Sequence, residues 1–333
     1  MKTGNVELAH GNGGRETKRL IDDIFKAHFE NPAGSFEEDA VTLNLSGKIA
    51  FTTDGFVIKP VFFPGGDIGK LAVCGTVNDL LTAGARPMYL SAGFVLEEGF
   101  SLDALDRIAR SVRMTTDEAE VSIVTGDTKV IERSGGEPGL IINMSGIGEI
   151  VSPVSAGNAA PGDVLIVTGP IGEHQACILT QRMGIQNEIR SDVSPLNELV
   201  FLLIENNITL HGLRDITRGG LATVLNETSF LCGHRFEIIE EELPVRAETA
   251  TLLALLGMEP VYMANEGNML IITPENEASL ALELIKRSRY GEYAAIIGRI
   301  TDEKDGPAVR MVTKIGGRRA LPLLSGESLP RIC

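Results

Sequence analysis

From about Val41 onward, short apolar runs alternate with stretches of helical period, the pattern of an α/β or α+β chain. Residues 49–53, 87–96, 121–125 and 140–150 read as strands, and 67–84 and 101–118 as helices. Ser101, followed by Asp103 and Asp106, suits a helix N-terminus. From 151 to 161 the chain turns small, polar and Pro/Gly-containing, which marks a seam between two units. Strands are then expected at 164–167, 236–239, 269–273 and 294–300. Helices are expected from about Glu173 and over 195–205, 219–231 and 275–289. This pattern divides the chain into a glycine-containing segment (1–38), a first domain (39–152), a second domain (160–310) and a tail (311–333). Within the first segment, residues 17–29 form a short amphipathic stretch.

Composition narrows the function classes. Hydrophobic residues make up 43% of the chain and charged residues 23%, ordinary values for a globular protein. No run approaches the ~18 apolar residues of a membrane span, and the first residues lack the apolar stretch of a signal peptide. The four cysteines, Cys74, Cys177, Cys232 and Cys333, are dispersed and form no C-x-x-C pair. That spacing argues against a zinc site or disulfide framework and fits a reducing cytosol. A net charge of −15 disfavours nucleic acid as a partner. It also means that a bound polyphosphate needs divalent cations.

Four motifs carry candidate chemistry. His10-Gly11-Asn12-Gly13-Gly14-Arg15 is a glycine loop ahead of a helix, where backbone N–H groups can approach phosphate oxygens. No Walker loop is present: Gly47-Lys48 and Gly69-Lys70 are followed by Ile49 and Leu71, not Ser or Thr. Aspartates stand at the ends of apolar runs: Asp39, Asp54, Asp79 and Asp127. Singly such a residue is more often a turn or cap residue; four in one domain point to a metal–nucleotide site. Lys129, two residues past Asp127, stands where a lysine can meet a transferring phosphoryl group, or is a surface residue of a hairpin. Arg214-Asp215-Ile216-Thr217-Arg218-Gly219-Gly220 reads as a loop feeding a helix, an anion cradle or a capped helix start. His28, His174, His211 and His234 show no catalytic or metal spacing and read as structural. Cys333 ends the chain behind Pro330-Arg331-Ile332. Chain ends are poorly ordered unless tied down, so its thiol is suited to carry a group between sites.

Together these motifs resemble the PurM superfamily of ATP-dependent enzymes. Residues 51–57, 60–80, 124–130 and 214–226 with the Pro-Arg-Ile-Cys ending resemble one branch of it, the HypE family. These are the carbamoyl dehydratases of nickel–iron hydrogenase maturation. The resemblance runs from His10 to Cys333, with departures at Gly55, Gln175 and Ile216, where the family commonly has serine, glycine and proline. It implies a two-domain α/β (α+β) PurM-like fold, each domain a mixed sheet covered by helices on one side, with a mobile tail. It also implies a homodimer built through the N-terminal-domain strands, with ATP between the domains. Asp39, Asp54, Asp79 and Asp127 would hold Mg²⁺, and Gly11, Gly13 and Gly14 would fold over the phosphates. Lys129 would steady the phosphoryl group, and Asp215 and Arg218 would contact the nucleotide. Glu266 is the candidate base, with His10 the alternative. Cys333 would receive a carbamoyl group from the carbamoyltransferase HypF and pass cyanide to the HypC–HypD scaffold. Two readings stand beside this one: a superfamily synthase acting on a free small molecule, and a nucleotide-gated carrier without turnover.

Overall fold

The structure, a computed structural model, describes residues 4–29, 32, 40–133, 135–303 and 305–324. Asp39 and Cys333, expected as a metal ligand and as the carrier thiol, lie outside the described residues. The N-terminal segment forms a short 3₁₀ turn (Leu8–Gly11) and then α1 (Arg15–Leu20), which continues through Ile21–Phe25 into α2 (Lys26–His28). Its apolar side, Leu20, Ile24, Phe25 and Phe29, is buried, and the Phe25 and Phe94 rings lie 4.6 Å apart.

The first sheet contains β1 (Ile49–Phe56), β4 (Ala85–Glu97), β5 (Ser122–Ile131) and β6 (Leu140–Ile150), in the order β1-β6-β4-β5. A small ribbon of β2 (Phe62–Phe63) and β3 (Gly66–Asp67) leads into α3 (Ile68–Thr82), and α4 (Leu102–Glu118) follows β4. Asp67 caps α3, its carboxylate accepting from the Gly69 and Lys70 amides at 2.8 and 3.1 Å. On α4, Leu105, Ile108, Ala109 and Val112 recur at helical spacing and are buried against α3 and the sheet. Along β6, Leu140, Ile142 and Met144 are buried while Ile141 and Asn143 between them are exposed. One face of this sheet is therefore covered by helices and the other is open.

The second sheet holds β7 (Asp163–Val167), β8 (Gly212–Asp215), β9 (Arg235–Ile239), β10 (Met269–Pro274), β11 (Ala295–Thr301), β12 (Val309–Val312) and β13 (Arg318–Ala320). Their order is β13-β12-β9-β11-β7-β10-β8. The helices of this half are α5 (Glu173–Met183), α6 (Asn197–Glu205), α7 (Gly220–Cys232), α8 (Ala247–Leu255) and α9 (Glu275–Arg287). β7 and β10 are unbroken apolar runs because they sit mid-sheet, covered on both faces.

Several elements differ from the sequence reading. The strand expected to stop at Thr125 continues to Ile131, so Asp127 and Lys129 are strand residues, not hairpin residues. Arg214-Asp215, read as loop, is the end of β8, which pairs with β10; its four residues are too few for an alternating pattern. Helix α8 was not expected, and its exposed Leu255 and half-buried Leu252 blur its apolar stripe. The second sheet also runs to Ala320, into the segment read as tail.

Candidate functional site

The aspartates expected at strand ends occupy other positions. Asp54 lies within β1, Asp79 in the last turn of α3, and Asp127 in the middle of β5. β1 and β5 are the two edges of the first sheet, three strand spacings apart, or roughly 14 Å. Asp54 and Asp127 of one chain therefore cannot ligate the same ion, whose oxygen ligands lie only about 2 Å from it. Among the described residues no three His, Cys, Asp or Glu side chains converge on a metal position. The expected single site is instead two clusters.

The first cluster surrounds a cavity of about 230 Å³ between the N-terminal segment and β5, lined by Gly11, Gly13, Asp127 and Lys129 among others. Gly11 presses on β5 so closely that a β-carbon there would sit 2.9 Å from Val130. Gly13 takes a left-handed φ of +77°. Gly14 caps α1, and the Gly13 amide donates to Thr17 Oγ1 at 2.9 Å. Asp127 and Lys129 share a face of β5, with Lys129 Nζ 2.6 Å from the Asp127 carboxylate. That ammonium holds the Asp127 pKa below its ordinary value. His10 is turned to its own loop: the Glu7 amide donates to its Nδ1 at 2.9 Å.

The second cluster lines a cavity of about 490 Å³ where the two halves meet. α3 packs against β8, which brings Asp79 near Asp215. Asp54, Asp79, Asp215, Arg218 and Glu266 all face this space. Thr52 on β1 donates to Asp79 at 2.8 Å. Arg214, the other cradle arginine, is turned away and bonded to Glu227 at 2.7 Å. The loop after β8 is tied to the turn bearing Glu266: the Ile216 amide donates to the Asn268 carbonyl and the Asn265 amide to the Ile216 carbonyl. Two buried asparagines fix that turn. Asn265 accepts from the Gly172 amide at 2.8 Å, and Asn268 accepts from Thr168 Oγ1 at 2.9 Å. Gln175, where the resemblance leads one to expect glycine, accepts from the Ala264 amide at 2.9 Å and so braces the same turn.

Electrostatically this cavity is a set of carboxylates crowded together. Burial and the neighbouring Asp215 push Asp79 up to about 6. Burial also raises Asp215. Glu266 is raised well above its ordinary value by burial and by Asp192, Asp215 and Asp54, with Arg218 acting the other way. Such a hard-oxygen set disfavours its own ionisation and is relieved by a divalent cation. Two residues were missed by sequence reasoning. His174 lines the cavity as a neutral ring, pushed down to about 3 by burial, with its Nδ1 2.7 Å from Ser191 Oγ. Asp192 contacts the Glu266 turn from an irregular loop; neither residue has a local motif that would single it out.

Comparison with known proteins agrees with this architecture. Family models of AIR synthase related protein match the chain twice, the N-terminal domain over residues 37–150 and the C-terminal domain over 160–309. The chain is thus of the AIR synthase-related class, and a polar cavity lies where its two mixed α/β halves meet. Within that class, the chain is 42% identical over 341 residues to carbamoyl dehydratase HypE of Rhodobacter capsulatus, covering 100% of this chain and 99% of that protein. A crystal structure of hydrogenase maturation protein HypE in complex with ATP superposes with a TM-score of 0.94 and 44% identity, over 98% of this chain and 99% of that one. The HypE chain of a HypE–HypF complex gives a TM-score of 0.79 and 41% identity, over 92% and 99%. The chain belongs to the HypE family of hydrogenase-maturation carbamoyl dehydratases. Among the described residues no helix is long and apolar enough to cross a membrane.

Proposed function

We propose that the chain uses ATP to dehydrate a carbamoyl group carried on Cys333, converting the S-carboxamide to an S-cyanate for the cyanide ligands of nickel–iron hydrogenase. The observation that carries this reading is Glu266, a carboxylate of raised pKa held on a braced turn beside Asp54, Asp79 and Asp215. An amide oxygen is a poor leaving group. Transfer of the γ-phosphoryl group of ATP to that oxygen, with one of the two amide protons released to water, yields ADP and an imidate phosphate that keeps a single N–H. Loss of the nitrogen proton to Glu266 then forms the C≡N bond and breaks the C–O bond, releasing phosphate. A base whose pKa is raised above that of a free carboxylate suits this proton transfer. ATP as the phosphoryl donor is supported by the HypE–ATP complex.

Asp54 and Asp79, with Asp127 from the other cluster and Asp39, are the residues we assign to Mg²⁺. The crowded carboxylates fit a hard dication, which would offset triphosphate charge. Asp215 and Arg218 flank the nucleotide in this reading. Lys129 steadies the migrating phosphoryl group, while Gly11, Gly13 and Gly14 supply backbone around the phosphates. His10 is the weaker base, since its Nδ1 already accepts a hydrogen bond.

The separation of the clusters favours a homodimer. Phe51 on the β1 edge is 68% exposed and Ile131 on the β5 edge 44%, and the open face of the first sheet carries exposed Ile141. Pairing β1 of one subunit with β5 of another closes both edges and buries that face. It also brings Lys129 and Asp127 of one chain towards Asp54 of its partner. The HypE–HypF complex supports HypF as a partner; in this reading HypF supplies the carbamoyl group and the HypC–HypD scaffold is the acceptor. Free thiols at Cys74, Cys177 and Cys232 fit the cytosol.

Intact mass after incubation with carbamoyl phosphate, ATP and HypF tests the reading. The wild-type chain should gain a carbamoyl group and then lose the mass of one water, only with ATP. Lys129→Ala and Glu266→Ala should load but keep the water. Water loss without ATP, or full ATP-dependent synthesis by a chain lacking the tail, would overturn it.

A further inference from the structure

The chain between α5 and α6 has no regular structure over residues 185–196, yet its second half is buried. Such a stretch needs a reason to be inside, because each buried backbone group must find a partner. Its bonds run to both halves of the protein. The Asp192 carboxylate accepts from the Glu266 amide through Oδ1 and from the Gly267 amide through Oδ2, both at 3.1 Å. The Asn78 side chain, one residue before Asp79 on α3, donates to the Ser194 carbonyl at 3.1 Å and accepts from the Leu196 amide at 3.0 Å. The contact with the Glu266 turn is close enough to exclude side chains. A β-carbon on Gly267 would sit 1.9 Å from the Asp192 carbonyl oxygen and 2.3 Å from Ser194 Oγ.

We infer that Asp192 is a positioning residue for the dehydration step: its carboxylate clamps the two amides of the Glu266-Gly267 turn and, through the 192–196 strap and Asn78, holds Glu266 in register with the helix bearing Asp79. The inference rests on Glu266 being the base. A carboxylate accepting two N–H groups from successive residues leaves the turn one orientation, whereas the Glu266 side chain makes no hydrogen bond of its own among the described residues. The clamp therefore sets where the base points. Since a displacement of about 1 Å in a reacting group costs on the order of 100-fold in rate, loss of the clamp should act on the chemical step.

The experiment is a double-mutant cycle on the carbamoylated enzyme, with single-turnover nitrile formation and ATP binding measured separately. Asp192→Ala should lower the dehydration rate about 100-fold with ATP affinity within about twofold of wild type. Asp192→Asn keeps one acceptor and should recover about tenfold of that loss. In a Glu266→Gln background, Asp192→Ala should have no further effect. Gly267→Ala, which pushes strap and turn apart without altering charge, should repeat the pattern, and thermal melts show that each variant is folded. An undiminished Asp192 effect in the Glu266→Gln background, or parallel losses in ATP affinity and rate, would overturn the positioning role while leaving the base in place. A Glu266→Gln enzyme with wild-type rate would instead remove the base assignment itself.

Discussion

Replacing Asp79 by Asn should stabilise the ligand-free protein at alkaline pH while weakening its affinity for Mg²⁺–ATP. In the folded chain Asp79 titrates near about 6 against an ordinary 3.8, because burial and Asp215 oppose its charge. Between those two values the native state binds more protons than the unfolded state. Its contribution to stability is therefore present at low pH and is lost as pH rises through the window from about 4 to 6. The displacement corresponds to about 3 kcal/mol if the group were fully desolvated. Asp79 is only part-buried, so about 1 kcal/mol is a sounder expectation. Asn retains an acceptor for the Thr52 hydroxyl, so the 2.8 Å bond need not be lost. For a chain of 333 residues a gain of 1 kcal/mol corresponds to a rise of about 1–2 °C in Tm. Thermal melts of both proteins at pH 4 and pH 8, with and without Mg²⁺–ATP, provide the assay. The curves should nearly coincide at pH 4, the variant should melt higher at pH 8, and the nucleotide-induced shift should shrink in the variant alone. A variant that is destabilised equally at both pH values would refute the claim that this carboxylate is held against its own charge.

Three further outcomes follow from the same geometry. Cys333→Ala should abolish carbamoyl loading while ATP binding, read by calorimetry, stays within about twofold; loading that persists elsewhere on the chain counts against the carrier role. Phe51→Asp places a charge on the exposed β1 edge and should shift the protein from dimer to monomer in light scattering, with ATP turnover falling in parallel. Gly11→Ala sets a methyl 2.9 Å from Val130, so the loop must lift from β5; the KM for ATP should rise about tenfold while the Tm changes by no more than a few degrees.

Much of this architecture is legible in the chain. The run 140–150 is read as a strand with the bounds that β6 has, and in the structure its residues alternate in burial because one face meets α3 while the other is open. The apolar runs of β7 and β10 stand out for the opposite reason, being covered on both faces. β8 and α8 are harder to see, since the first is too short for a period and the second has an apolar stripe blurred by exposed leucines. Residue chemistry was equally visible at Asp54, Asp79, Asp127, Lys129 and Glu266. Their grouping was not.

The sequence by itself determined the class of fold, the family and the chemical types available: glycines for phosphate, carboxylates for a cation, a lysine, a candidate base and a thiol. Tertiary structure alone decided which of these meet. Strand order puts Asp54 and Asp127 on opposite edges of one sheet, and side chains cannot span the roughly 14 Å between them. The packing of α3 on β8 joins Asp79 to Asp215 across more than a hundred residues of chain. Asp192 reaches Glu266 from a loop without a motif. Contacts of that kind arise from how layers stack, and no local pattern of polar and apolar positions encodes them.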